Sequence, residues 1–336
     1  MSRGRALLAA AGVLLALAAA TSMIAAWWLH RPGPALAAPV ELSIAKGMRL
    51  GAVAQQLAAR GLLRHPLPLV AWARLTGRDR AIRWGDYRFT RPLSPLELLE
   101  RITGPPDALH AVTVPEGLTV REVVAVLAGA GFGSEESFLC LLEDPVFLAS
   151  VDLPPEGAEG YLFPDTYAFP LAMPQEEILR AMVRRFRAVF GPDLELRAAD
   201  LGLDVQQAVT LASLVEEETA RPEERPLVAA VFLNRLRRGM PLQSDPTVLY
   251  GREAGDRTIT RRDLRRRTPH NTYTTRGLPP TPIANPGRAA LEAAVTPATV
   301  PYLYFVARGD GSHEFSTDLA AHRAAVARWQ RRQQAP

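Results

Sequence analysis

From Ala6 to Leu29 the chain runs 24 residues without a charged side chain, with Arg3 and Arg5 before the run and His30, Arg31 and Pro32 after it. About 20 apolar residues suffice to cross a bilayer as a helix, which satisfies its own backbone groups where no water is present. The run is therefore read as a transmembrane helix over 6–29 behind a cytoplasmic stub at 1–5. Trp27 and Trp28 stand at its outer end, where amphipathic rings suit the headgroup zone, and the arginines at the other end favour a cytoplasmic N-terminus. A cleaved signal peptide is the competing reading, with an A-x-A-like site in Ala35-Leu36-Ala37, but its apolar region ordinarily has only about 7–15 residues. A retained anchor is favoured. No comparable run follows, so the expected localisation is the inner (cytoplasmic) membrane, single-pass, with the rest of the chain extracytoplasmic.

The chain as a whole has ample core material: 48% of its 336 residues are hydrophobic, enough for two or more folded units. A net charge of +4 is too small to indicate nucleic acid as a partner. Lys46 is the sole lysine and follows Ala45, which excludes a P-loop. Ser43 and Lys46 have the Ser-x-x-Lys spacing of penicillin-binding acyl-enzymes, yet the companion Lys-Thr-Gly cannot exist without a second lysine. Cys140 is alone, so neither an intramolecular disulfide nor a cysteine-based zinc cluster can form. The six histidines include no His-x-x-x-His pair. No metal and no cofactor is expected.

Residues 30–40 read as a Pro/Ala linker. A weak internal repeat follows, in which Gly47, Leu50, Val53, Leu57, Ala58 and Gly61 recur as Gly117, Val120, Val123, Leu127, Ala128 and Gly131. Each copy has a β-like segment (41–45; 111–115), a Gly turn and an apolar-periodic helix ending at Gly. The first copy continues through a helix near 66–76, a strand at 86–90 and a helix over 94–102 capped by Ser94. Its shape resembles a LysM-like glycan-binding unit, giving expected modules at 41–107 and 108–155. After Pro154 the segment 159–167 reads as an aromatic cleft loop. Helices are expected over 176–190, 205–218 and 226–238, and Asp245-Pro246 reads as the cap of a short helix. A Pro/Asn/Gly-rich loop over 268–287 precedes a helix at 288–295, a hairpin of 302–307 with 313–316, and a closing helix from 319. The fold class is α+β: a transmembrane helix, LysM-like small α/β modules, then a mainly helical α+β domain over 156–336 with a β-hairpin.

Within 205–218 the helical period separates three adjacent carboxylates. Glu218 falls among Leu211, Leu214 and Val215, Glu217 joins Gln206, Thr210 and Ser213 on a polar face, and Glu216 lies across the helix near Val209. A carboxyl among leucines loses hydration, which disfavours its anion and leaves a proton available near neutral pH, the requirement for a general acid in glycosidic cleavage. Periodicity alone equally permits Glu218 to end the helix in solvent or to pair with Arg225 or Arg235.

The stretch Ala212-Ser213-Leu214-Val215-Glu216-Glu217-Glu218-Thr219, Glu224-Arg225, Val228 to Leu236 with Asn234-Arg235, and Leu242-Gln243-Ser244-Asp245-Pro246-Thr247-Val248-Leu249-Tyr250-Gly251 closely resembles the YceG-like endolytic murein transglycosylases. So do Asn271-Thr272-Tyr273, Gly277 to Pro280, Asn285-Pro286-Gly287, Tyr302 to Val306 and, upstream, Glu159-Gly160 with Phe163-Pro164-Asp165-Thr166. The resemblance implies a membrane-anchored lyase that cleaves the MurNAc-GlcNAc β-1,4 bond within peptidoglycan strands and leaves 1,6-anhydro-MurNAc ends. It places the catalytic acid on Glu218, makes 156–336 the catalytic domain, and implies peptidoglycan synthases as partners. Gln243, Asp245, Asn271 and Tyr273 carry the amide, carboxylate and hydroxyl groups that orient a sugar, with Glu159 and Thr219 in the same cleft. Helix capping is the alternative for Asp245, and a core aromatic the alternative for Tyr273. His270 is assigned no role. Arg261, Arg262, Arg265, Arg266 and Arg267 read as a solvated face, or a patch for stem-peptide carboxylates or anionic lipid. An inactive glycan-binding scaffold and a hydrolytic muramidase are the alternative functions.

Overall fold

The computed structural model describes residues 3–107, 109–252 and 259–333. Residues 1–2 of the expected stub, residue 108 at the start of the second expected module, and the last three residues of the expected 156–336 domain lie outside the described residues. The chain is of mixed α+β type and divides into two compact units, Met1–Ala111 with Ala168–Pro174 and Val112–Tyr167 with Gln175–Pro336.

In the first unit, helix α1 (Arg3–His30) contains one segment, Gly12–His30, long and apolar enough to cross a membrane. Strand β1 (Val40–Ile44), helices α2 (Leu50–Ala59) and α3 (Pro66–Leu75), and strand β2 (Gly85–Phe89) follow, then α4 (Pro95–Thr103). The two strands pair antiparallel, with Leu42 opposite Tyr87, so that order β-α-α-β closes on itself. Alternation along β1 sends Leu42 and Ile44 into a core with Val53, Leu57, Leu69 and Leu98. Ser43 points the other way and donates its hydroxyl to Asp86, its cross-strand partner. The serine of the Ser-x-x-Lys spacing is thus used in a cross-strand contact. Ser94 caps α4 in a capping box with Glu97.

The chain leaves and re-enters this unit through strands β3 (His110–Thr113) and β4 (Thr166–Phe169), which form a second two-stranded sheet. Between them lie α5 (Val120–Gly129), α6 (Glu135–Glu143) and α7 (Pro145–Ser150). Helices α2 and α5 begin and end 70 residues apart, and Gly47 and Gly117 both hold φ +80° in the turns before them, so the repeat is present in the backbone. Unlike α2, α5 starts with a capping box, Thr119 with Glu122.

The second unit continues with α8 (Gln175–Val189), α9 (Pro192–Asp200), α10 (Val205–Glu218), α11 (Arg225–Arg237), α12 (Pro246–Leu249), α13 (Arg288–Val295), the hairpin β5 (Tyr304–Ala307) and β6 (His313–Ser316), and α14 (Leu319–Gln333). Helices α6 (nine residues), α7 (six) and α9 (nine) are additional to the expected elements. The centre of the unit is α10. Asp204 caps it in a box with Gln207, every residue from Ala208 to Val215 is buried, and it packs against α11 and α13. Its expected polar face is a correction: Thr210 and Ser213 are buried. Thr210 Oγ1 bonds back to the Gln206 carbonyl, while Ser213 Oγ donates to the Thr210 carbonyl and accepts from the Ile283 amide. Local hydroxyl-to-carbonyl bonds let such residues face the interior.

Candidate active site

Three consecutive glutamates end α10 and meet three different fates. Glu216 is nearly enclosed: Oε1 accepts from Arg225 Nη2 at 2.8 Å and Oε2 from the Gly287 amide at 2.8 Å. Glu217 is exposed. Glu218 is partly exposed, and its Oε1 accepts a 2.6 Å hydrogen bond from Ser244 Oγ. Arg225 is taken by Glu216, and Arg235 spends its guanidinium on the carbonyls of Leu303 (2.7 Å) and Leu242 (2.6 Å). Neither of the arginines considered as partners is ion-paired with Glu218.

The Glu218 carboxyl is pushed up to about 7. Loss of hydration is the main cause, the negative neighbours Asp245 and Glu217 add to it, and Ser244 and the field of Arg235 oppose it. The last turn of a helix contributes in the same sense, because its unpaired carbonyls present negative charge to a carboxylate there. Thr219 terminates α10 in an extended conformation. Its hydroxyl is turned to Glu224 at 3.3 Å, and Glu224 also accepts from the His313 amide at 2.9 Å and pairs with His313 Nδ1 at 2.7 Å. Thr219 thus ties the helix end to β6.

Ser244 is held by a lattice of hydroxyls. Its amide donates to Thr272 Oγ1 at 2.9 Å, and Thr247 Oγ1 reaches both the Ser244 carbonyl at 2.6 Å and Thr272 Oγ1 at 2.9 Å. Gln243, exposed and just ahead, has φ +52°, a left-handed conformation costly for a residue with a Cβ. The expected side-chain cap by Asp245 is a correction. Asp245 already has helical dihedrals, so its carboxylate cannot fold back onto the first turn of α12, and it accepts from Tyr273 Oη at 2.6 Å instead. Tyr273 therefore stands beside the carboxyls, not in the core, and its phenol is raised chiefly by loss of hydration, with Asp245 and then Glu218 adding to it.

The Glu159 carboxyl is also pushed up to about 7, with burial as the main cause. Oε1 accepts from the Val120 amide (2.9 Å) and Asn285 Nδ2 (3.2 Å), and Oε2 from Tyr250 Oη (3.2 Å). His270 lies against Tyr250 with ring centres 4.6 Å apart and meets Thr281 Oγ1 at 2.8 Å, so it supports that tyrosine. The neighbouring Gly160 has φ +89°, and a Cβ there would stand 2.7 Å from Val209 of α10 and from Pro282. Only glycine lets this loop lie so close to the helix.

Asn271 is buried and spends its amide within the fold. Nδ2 donates to the carbonyls of Asp263 and Arg266, and Oδ1 accepts from the Tyr273 amide. It thereby shapes the loop whose exposed side chains are Arg261, Arg262, Arg265, Arg266 and Arg267. Ser244, Tyr250, Asn285 and Arg225 were not picked out as site residues, although the motifs that carry the resemblance contain them. Among the described residues, no cluster of three His, Cys, Asp or Glu side chains could hold a metal ion.

Residues 42–328 match the YceG-like family. A Bacillus subtilis (strain 168) protein called "Endolytic murein transglycosylase" is 29% identical over 302 residues, spanning 85% of this chain and 83% of its own. A protein of the same name from Streptococcus pneumoniae (strain ATCC BAA-255 / R6) is 30% identical over 302 residues, and the match spans 80% of this chain and 54% of the pneumococcal one. The crystal structure of a yceG-like protein from Listeria monocytogenes shares the fold with a TM-score of 0.59 and 26% identity, over 85% of this chain and 98% of that one.

Proposed function

Since the chain belongs to the YceG-like family, we propose that it is an endolytic peptidoglycan lytic transglycosylase in which Glu218 is both acid and base. The observation that carries the reading is the Glu218 carboxyl, pushed up to about 7, partly open to solvent and oriented by one hydroxyl. As acid, Glu218 gives its proton to the glycosidic oxygen, and the bond from that oxygen to the muramic anomeric carbon breaks. As base, the resulting anion takes the proton of the muramic C6 hydroxyl, whose oxygen attacks the same anomeric carbon and closes the 1,6-anhydro ring. The carboxyl ends as it began, and no water is consumed.

A hydrolytic muramidase has one observation in its favour, the raised carboxyl of Glu159. Two carboxyl groups are what water-using glycosidases ordinarily employ. Both Glu159 oxygens, however, already accept bonds that tie loops together, so the substrate-assisted route is preferred. Mass spectrometry of products from uncrosslinked glycan strands tests the choice. Anhydro ends are expected; reducing ends, heavier by one water, would establish hydrolysis, and intact strands would establish an inactive scaffold.

The pH profile supplies a second test. Because the protonated acid is the active form, kcat/KM should fall as pH rises past about 7. Ser244→Ala removes a donor to the anion and should move that descending limb to higher pH. Asp245→Asn removes a negative neighbour and should move it to lower pH. Shifts of the same sign in both variants would contradict the assignment.

Several further features belong to the same proposal. Gln243, Asp245 and Tyr273 contact the sugar, while Thr219, Asn271 and Glu159 shape the cleft around it. The β-α-α-β order within residues 41–107 supports a LysM-like glycan-holding module, followed by a second related module over 108–155 and a catalytic domain over 156–336. The length and composition of α1 support a single-pass anchor in the inner membrane, with an extracytoplasmic cleft. Peptidoglycan synthases, which make the strands it would cut, are the expected protein partners.

A further inference from the structure

Helix α3 is unusual for an exposed helix. Leu69 and Ala73 face the core of the first unit, but the opposite side carries Leu67, Trp72 and Leu75, which are 69%, 36% and 83% exposed, and a single charge, Arg74. An isolated exposed leucine needs no explanation; three large apolar side chains on one face of a ten-residue helix do. This face lines an open apolar groove of about 440 Å³, and the other wall of the groove is Ala25, Trp28 and Leu29 of α1.

The position of that wall fixes the depth of α3. Ala25, Trp28 and Leu29 lie in the last six residues of α1, within about 9 Å of its end at 1.5 Å per residue. Arg31 stacks on Trp27 with its guanidinium carbon 4.6 Å from the ring centre, a pairing suited to the headgroup zone. Whatever surrounds the outer end of the span therefore also surrounds the exposed side of α3. Between Arg60 and Arg83 the sequence supplies Arg60, Arg64, Arg74, Arg78, Arg80 and Arg83 against one acid, Asp79. All six arginines are exposed. An apolar face bordered by arginine is the composition of a helix that lies in a lipid surface containing anionic headgroups.

We propose that α3 is a monotopic contact, embedded at the boundary between headgroups and acyl chains beside the emerging span, so that the first unit is held against the bilayer and not suspended from it. The inference rests on the anchor reading of α1. The test uses the full chain with Cys140→Ser, reconstituted in vesicles of phosphatidylcholine and phosphatidylglycerol. A polarity-sensitive fluorophore is attached through Leu75→Cys in one sample and Leu17→Cys in another. Both leucines are exposed, so neither change disturbs packing.

The probe at position 75 should emit at shorter wavelength, be quenched by nitroxides carried near the lipid headgroup, and be several-fold less accessible to aqueous iodide than the free dye. The probe at position 17 should be quenched by nitroxides deep in the acyl chains. If iodide reaches position 75 freely while position 17 remains in lipid, the proposal fails and the anchor stands. If position 17 is not in lipid either, the anchor reading fails and takes this one with it. A probe at position 75 shielded from both iodide and lipid nitroxides would show that a protein surface covers α3, which also overturns the proposal.

Discussion

Glu218→Gln is expected to lower turnover of uncrosslinked glycan by about 10⁴-fold or more, since one side chain performs both proton transfers and each ordinarily contributes about 10²–10⁴. The same variant should be no less stable than the parent. Below 4.5 the carboxyl is protonated whether the chain is folded or not, and it contributes nothing to pH dependence. Between 4.5 and about 7 the unfolded chain loses the proton while the folded chain keeps it, so stability falls as pH rises. Above about 7 the cost is complete, at most about 3 kcal/mol for this partly exposed group. Glutamine carries no such cost. At pH 8 the variant should therefore unfold at higher denaturant than the parent, while at pH 4 the two should coincide. Turnover near the parental rate, or a variant that unfolds first at pH 8, would remove Glu218 from the role assigned to it. Glu217→Gln, at an exposed position, should cost little by either measure.

Asn285→Ala is expected to be the most damaging single change that touches no proposed reacting group. Asn285 is 0% exposed and its amide is fully used: Oδ1 accepts from the Gly160 and Leu162 amides at 3.1 and 2.9 Å, and Nδ2 donates to the Leu118 carbonyl and Glu159 at 2.8 and 3.2 Å. Alanine would strand the two buried amides of Gly160 and Leu162, each costing about 1–3 kcal/mol, while the Leu118 carbonyl would keep the Asn285 backbone amide. The total should approach about 4 kcal/mol, or a melting temperature lower by about 10 °C in a unit of this size. Gln206→Ala, which removes one exposed bond to the Pro280 carbonyl, is the matched control and should change stability by about 0.5 kcal/mol or less. Equal effects in thermal unfolding would mean that the buried amide holds nothing together.

The legibility of this site in the sequence depended on distance along the chain. The surroundings of Glu218 on α10 follow from positions three, four and seven residues earlier, which the helical period exposes directly. Ser244, which orients it, comes from 26 residues further on, and Asn285 from more than 120 residues after the loop it holds. No local period connects such residues. Asp245-Pro246 reads as a cap on composition, but the dihedrals of Asp245 and the reach of Tyr273 decide otherwise, and neither is visible in a dipeptide. Thr210 and Ser213 look like a solvent-facing stripe until the Ile283 segment arrives to cover them.

The 70-residue repeat sets one kind of turn in two different surroundings. In the first copy the turn residues Lys46 and Gly47 are exposed. In the second the matching residues are Glu116 and Gly117. There Glu116 lies 3.6 Å from Arg225, and the Gly117 amide bonds to the Asn285 carbonyl. The second turn is committed, because Glu116 and the Gly117 amide meet Arg225 and Asn285, which also hold Glu216 and Glu159. A change of length or charge there should therefore loosen the contacts that hold Glu216 and Glu159, so the second copy has less room to vary than its turn geometry alone requires.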